Sequence, residues 1–280
     1  MTAPSRPPYA RGWRLFWRAA RGRAFPRLVA LTRERDWLVM DIVLPLMSVA
    51  AYVFVYRALG APEAYIGFVI LGGAMTAFWL NVLWGMATQL FWEKQSGNLP
   101  LYIMAPAPLT ALLLGMAVGG MANTSARALA ILWLGGWLFG VDFQVTAWLP
   151  LLAVFLLTLS ALYGLGMLSA SLFLLSGRGA LHLSSLAQEP VYLLSGFYFP
   201  VKALPFWAAV LGSLIPLTLG MDAMRQLSFP DGHTFGLWSV PVEIGALAVM
   251  TVLFLVLARW ALAVMERRAR RDARLTERMD

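Results

Sequence analysis

The 280-residue chain contains no cysteine. That excludes a disulfide framework, a thiolate zinc site and a cysteine-ligated iron–sulfur cluster. Histidine occurs only as His182 and His233. Two imidazoles leave little for a metal centre or a general base, and no H-E-x-x-H pattern is present. Lysine also occurs twice, as Lys94 and Lys202, and neither stands in the G-x-x-x-x-G-K-[ST] context that cradles nucleotide phosphates. Charge is scarce altogether. Asp, Glu, Lys and Arg make up 13% of the chain, against roughly a quarter in ordinary soluble domains. What fills the gap is apolar: 60% of residues are hydrophobic, and the mean hydropathy is +0.71. So few charges cannot cover a surface in water, so the chain is expected to be dissolved in lipid. Twenty of its 22 basic residues are arginine, a usage compatible with a GC-rich bacterial genome and hence with a bacterial inner membrane.

A helix needs about 20 apolar residues to cross a bilayer. Six segments meet that length: 38–56, 65–90, 109–139, 147–175, 181–199 and 240–265. A seventh stretch, 203–220, is short and carries Pro205 and Pro216. Arginine placement arbitrates. Nine arginines fall within residues 1–36 and seven more from Arg259 onward. Short flanks this basic stay on the cytoplasmic side. Both termini are therefore expected inside, and the number of crossings is even. The expected fold is an all-α integral membrane protein with six transmembrane helices, in which the stretch after the fifth dips in from outside and returns. No compact apolar stretch precedes residue 37, so no cleavable signal peptide is expected.

The N-terminal arm, residues 1–36, has a pattern of its own. Trp13, Phe16, Trp17, Ala20 and Ala24 recur at helical spacing, with Arg11, Arg14, Arg18 and Arg21 interleaved. This reads as an amphipathic helix in the cytoplasmic interface, with Arg facing lipid phosphate and Trp the acyl chains, interrupted at Pro26. A purely topogenic basic arm fits the same residues. The tail, 266–280, is another basic cytoplasmic segment.

Between the second and third spans lies Phe91-Trp92-Glu93-Lys94-Gln95-Ser96-Gly97-Asn98-Leu99-Pro100-Leu101-Tyr102-Ile103-Met104-Ala105-Pro106. It suits a short helix lying across the membrane, with an apolar tip that invites a partner groove. An ordinary interfacial connector is the plainer reading. After Glu189-Pro190 the chain runs through Ser195-Gly196-Phe197-Tyr198-Phe199-Pro200, Leu204-Pro205 and Pro216-Leu217-Thr218 to Asp222 and Arg225. Four prolines, 190, 200, 205 and 216, break helices here. Irregular backbone at membrane depth survives only when buried in protein or lining a water-filled cavity, so this region is expected to face a pathway or a subunit interface.

Four ionisable residues lie in or near the apolar spans: Asp41, Arg127, Glu189 and Glu243. Such groups cost at least ~2.5–3.5 kcal/mol each by insertion scales and default to a functional hypothesis. Arg127, beside Asn123, Thr124 and Ser125, and Glu189 are the expected pair or polar route; a structural pair or snorkelling is the alternative. Asp41 and Glu243 sit near span ends and read as interfacial. Asn123-Thr124-Ser125 matches the glycosylation sequon but lies inside a span. Gly115, Gly119, Gly120, Gly164 and Gly166 permit close helix packing.

In order and spacing, these segments resemble the permease (transmembrane) subunit of ABC-2-type transporters, also called type V ABC exporters. The match rests on Glu93, Gly97 and Leu99 ending at Pro106, on Ser195–Pro200 with Leu204-Pro205, and on Pro216-Leu217-Thr218 with Asp222 and Arg225. Asn98-Leu99-Pro100 departs from the threonine-leucine-glutamate pattern more frequent in the family. The resemblance implies a coupling helix at 92–105 in a groove of a separate ATPase subunit, with Glu93, Gly97, Asn98, Leu99 and Leu101 at the contact. It implies an interface helix beside it, and re-entrant helices over 200–227 that include Phe199, Pro200, Pro205, Pro216, Asp222 and Arg225. It further implies a dimer with a second permease copy or a paralogue, with ATP and Mg held by the partner and no cofactor here. Export of a lipid, drug or glycan-like cargo would follow. Membrane lipids are partners on this reading; nucleic acid is not. A secondary transporter is the rival, with Glu189 as titrating site, although no internal repeat is visible. An assembly subunit and an intramembrane enzyme are further alternatives, the last having no catalytic constellation to build on.

Overall fold

The computed structural model describes residues 12–33, 35–176, 179–230 and 232–271. Every regular element among them is helical. In chain order these are α1 (Trp13–Arg33), α2 (Arg35–Ala58) and α3 (Ala64–Val82). A π-helical turn, Leu83–Ala87, then leads into α4 (Gln89–Gln95), followed by α5 (Leu99–Met104), α6 (Leu109–Phe139), α7 (Trp148–Ser176) and α8 (Gly179–Leu194). After a 3₁₀ turn at Val201–Ala203 come α9 (Phe206–Ser213), α10 (Pro216–Ser228), α11 (Gly232–Phe235) and α12 (Val240–Arg271).

Five stretches are long and apolar enough to cross a membrane: Val39–Ala58, Ala64–Gln95, Leu109–Phe139, Trp148–Phe173 and Val240–Met265. α9 and α10 are each too short and meet at a bend of 102°. Pro216 produces the bend: it is pre-set for the first turn of α10 but cannot continue the helix before it, and Ile215 is extended. The expected fifth span differs from its reading as one helix over 181–199. α8 has 16 residues, about 24 Å, and the chain then leaves the helix. Gly196, at φ +66°, and Pro200 are the breakers.

Burial sorts the spans. In the span containing α3, 83% of the apolar window is covered by protein, against 11% for those of α2 and α12. α3 is the axis: α2, α6, α7 and α10 pack around it, α12 lies on α7, and α1 lies along α6. Lipid tails are as apolar as leucine, so close packing rather than water exclusion holds these helices together. The glycines do this work. Gly115 and Gly119 of α6 face the backbone of Ala20 and Ala24 in α1. Gly166 meets Val82 and Met86, and Gly164 meets Phe254 and Leu255. Gly72 lies directly against the Phe197 carbonyl, where no Cβ fits.

The arm corrects two expectations. Pro26 does not interrupt α1, which runs through it. Its neighbours Ala20 and Ala24 are buried on α6, and that contact offsets the hydrogen bond that the proline removes. The apolar stripe is accordingly divided: Ala20 and Ala24 face protein, while Trp13 and Trp17 remain exposed, Trp13 stacked on Phe16 and Trp17 edge-on to it.

Candidate functional site

At one end of α3 the chain reverses between α4 and α5. Asn98 N–H donates to the Glu93 carbonyl at 2.9 Å, and Gly97 N–H to the Lys94 carbonyl at 3.0 Å. This is a Schellman closure, and it needs the left-handed backbone of Gly97 at φ +73°. Pro100 then starts α5. The Glu93 carboxylate, 7% exposed, ties the reversal together. It accepts from Gln89 Nε2 at 2.8 Å and Asn98 Nδ2 at 3.3 Å, and it forms an ion pair with Arg23 of α1. Arg23 also lies over the Tyr102 ring, 5.5 Å from its centroid. Leu99 and Ile103 point inward; Trp92, Leu101 and Met104 point out. The result is a braced turn with an apolar tip.

Arg27, one helical turn beyond Arg23, reaches into the π-helical turn. Its Nη2 donates to the Gly85 carbonyl at 2.6 Å and its Nη1 to the Met116 carbonyl at 3.3 Å. A π turn shifts the helical hydrogen-bond register, and the guanidinium binds a carbonyl within it. Burial, with repulsion from Arg23, holds the Arg27 pKa below its ordinary value. One face of α1 thus touches α6, the π turn and the α4–α5 turn through Ala20, Arg23, Ala24 and Arg27.

Arg127 does not pair with Glu189. Its Nη1 forms an ion pair with Asp41 of α2, and its Nε donates to Asn123 Oδ1 at 2.9 Å. Glu189 is on the exposed side of α8. The Asp41–Arg127 pair lines a pocket of about 520 Å³ between α2, α3, α6 and α8, together with Asn81, Trp84, Tyr192 and Tyr198. A separate cavity of about 400 Å³ between α3, α6, α7 and α10 is lined by Phe78, Phe143, Trp148 and Phe155, with two serines as its polar residues.

At the opposite end of α3, Arg225 is 2% exposed. It donates to the carbonyls of Phe68 at 3.1 Å, Phe197 at 2.9 Å and Phe199 at 3.2 Å. Tyr56 Oη takes the intervening Tyr198 carbonyl at 2.9 Å. Three successive carbonyls of the non-helical stretch after α8, those of Phe197, Tyr198 and Phe199, are therefore satisfied by side chains. Asp222, one turn before Gln226, accepts from Leu237 N–H at 2.7 Å and from Gln226 Nε2 at 3.0 Å. The same amide reaches the Trp238 carbonyl at 2.7 Å and Glu243 Oε2 at 3.3 Å. Glu243, read as interfacial, is instead fully buried, because α10 and the chain before α12 close over it.

The ABC-2 type transporter family profile matches residues 27–229, a stretch that begins in α1 and ends just after α10. The chain belongs to the ABC-2-type transporter family. The permease is also 25% identical over 157 residues to proteins named "Probable multidrug ABC transporter permease YbhR" from Escherichia coli strains K12 and O157:H7. The match covers 52% of this chain and 39% of each relative, so the permease spans well under half their length.

The residues singled out from the sequence divide in the permease. Glu93 and Leu99 lie inside the α4–α5 turn, whereas Gly97, Asn98 and Leu101 are on its surface. Asp222 and Arg225 lie together on α10, facing different partners, and Pro205 and Pro216 open α9 and α10. Arg23, Arg27, Gln226 and the role of Asp41 were missed. A signal for the first two exists: Ala20, Arg23, Ala24 and Arg27 stand at i, i+3, i+4 and i+7, the spacing of one helix face.

Proposed function

We propose that the permease is the membrane subunit of an ATP-driven exporter, and that the α4–α5 turn is where a separate ATPase subunit docks. The observation that supports this most is the turn itself: a reversal braced by Glu93, Arg23 and Asn98 that holds Trp92, Leu101 and Met104 outward. A rigid base with an apolar tip suits transmission of force from a partner groove. On this reading ATP and Mg are bound by the partner, and two permeases (identical or paralogous) form the path. The exposed faces of α2 and α8 are available for that contact. Both termini would be cytoplasmic in a bacterial inner membrane. The cargo is an amphipathic molecule, lipid, drug or glycan-like, moved outward; the multidrug designation of the similar E. coli proteins favours this class.

The chain's lack of cysteine makes the test direct. Ser96→Cys places one thiol on the exposed turn. Crosslinking in native-host membranes, followed by mass spectrometry, is expected to yield an adduct with an ABC-type ATPase. An adduct pool without any such ATPase overturns the reading and moves an ion-coupled transporter, with Glu189 titrating, to first place.

A further inference from the structure

The Asp41–Arg127 pocket has a chemical peculiarity. Its two charges already satisfy each other, yet each keeps an unused valence. Nη1 of Arg127 goes to Asp41 Oδ2 and Nε to Asn123. Among the described residues, Arg127 Nη2 and Asp41 Oδ1 take no partner. The two side chains are 23% and 37% exposed, so they open into the pocket rather than into the helix packing. Around them stand apolar surfaces from Met40, Leu44, Leu80 and Trp84, with the Asn81 amide among them. The pocket follows α3 and the π turn from Thr76 to Gly85, and so lies at the middle of the span Ala64–Gln95.

The charge state of a guest decides its cost. A lone anion on Arg127 brings a second negative charge beside Asp41. A lone cation on Asp41 does the same to Arg127. Either leaves one charge poorly compensated in a medium of low polarity, where unpaired ions are expensive. A guest that carries both signs sets its anion on the free guanidinium edge and its cation on the free carboxylate oxygen, and leaves nothing unpaired. Its apolar portion then lies along Met40, Leu44, Leu80 and Trp84.

We propose that the Asp41–Arg127 pocket binds the headgroup of a zwitterionic amphiphile, with Arg127 receiving its anionic group and Asp41 its cationic group. This names the cargo class and rests on the exporter reading above, but its test contains no ATPase, so the two can fail separately. The purified full chain is titrated with three single-chain probes of equal length: an alkyl phosphocholine, an alkyl phosphate monoester and an alkyl trimethylammonium. The zwitterion is expected to bind about tenfold more tightly than either ion. Asp41→Asn and Arg127→Gln are each expected to abolish that preference. Because either variant can fail to fold, the exchange Asp41→Arg with Arg127→Asp is made as well; it keeps the pair and is expected to keep the preference. A diacyl phosphatidylcholine that displaces the probe marks membrane lipid as the source, and no displacement marks a soluble amphiphile. Equal binding of all three probes, or tighter binding of the phosphate monoester with Asp41→Asn improving it, overturns the proposal.

Discussion

Arg27 and Arg225 perform the same task at opposite ends of α3, in different surroundings. Each leaves its own helix to bind backbone carbonyls where the helical ladder is disturbed: Arg27 at the π turn, Arg225 at the non-helical stretch after α8. In a bilayer, water cannot take up such carbonyls, and a guanidinium with a fork of donors serves several at once. Around Arg225 everything is closed. Asp222, Gln226 and Glu243 are buried beside it, and Gly72 admits the Phe197 carbonyl against its backbone. Around Arg27 the structure opens within one helical turn to the exposed α4–α5 tip. One end of the permease is a clamp; the other is a handle braced from inside. Internal hydrogen bonding is therefore alike at the two ends, and what distinguishes them is the exposure of the apolar side chains at the α4–α5 tip.

Arg225→Met strips three carbonyls of their donor in a buried site. A loss of at least about 3 kcal/mol is expected, read as a collapse of the thermal unfolding midpoint in detergent. Arg225→Lys is expected to recover little, since an ammonium lacks the planar fork. Full recovery by lysine would show that charge, not geometry, holds the clamp. Arg27→Met removes the donor from two carbonyls beside a partly open region, so a smaller loss of about 1–3 kcal/mol is expected. Hydrogen exchange should localise that loss to Leu83–Ala87 and α4; a loss as large and global as that at Arg225 would erase the contrast. The double substitution Leu101→Ala with Met104→Ala touches only the exposed tip. Stability should stay within about 0.5 kcal/mol, while ATPase-subunit retention on the purified permease falls at least tenfold. Unchanged retention would take the handle away from this end.

The apolar lengths make most of the spans legible without a structure, and they fail at α8 for a definite reason. Hydropathy counts apolar residues; it does not see that the carbonyls after Leu194 are held by Arg225 and Tyr56, which lets the chain stop being helical inside an apolar run. The same blindness affected the charges. Arg127 and Glu189 were brought together by their shared depth in the sequence, but Asp41 belongs to a helix that packs against α6 while Glu189 faces outward from α8. Proline and small-residue signals behaved unevenly: Pro216 breaks the helix as read, whereas Pro26 is carried through because α6 holds α1 on both sides of it.

Composition and pattern alone determined the helical membrane class and the proline-directed bend of α9 and α10, whereas the family was legible as a resemblance of motifs, and the single short helix read over 92–105 is instead two, α4 and α5, parted at Gly97. Class and bend are local, set by how many apolar residues follow one another or by which residue can adopt a given backbone angle. The tertiary structure decided which carboxylate meets Arg127, that Glu243 is buried, that Arg23 of a seemingly interfacial arm braces the reversal while Arg27 binds the π turn, and which tip residues face out. Those outcomes depend on which helices lie beside one another, and in a chain whose helices are nearly uniform in apolar character no stretch of sequence encodes its neighbour.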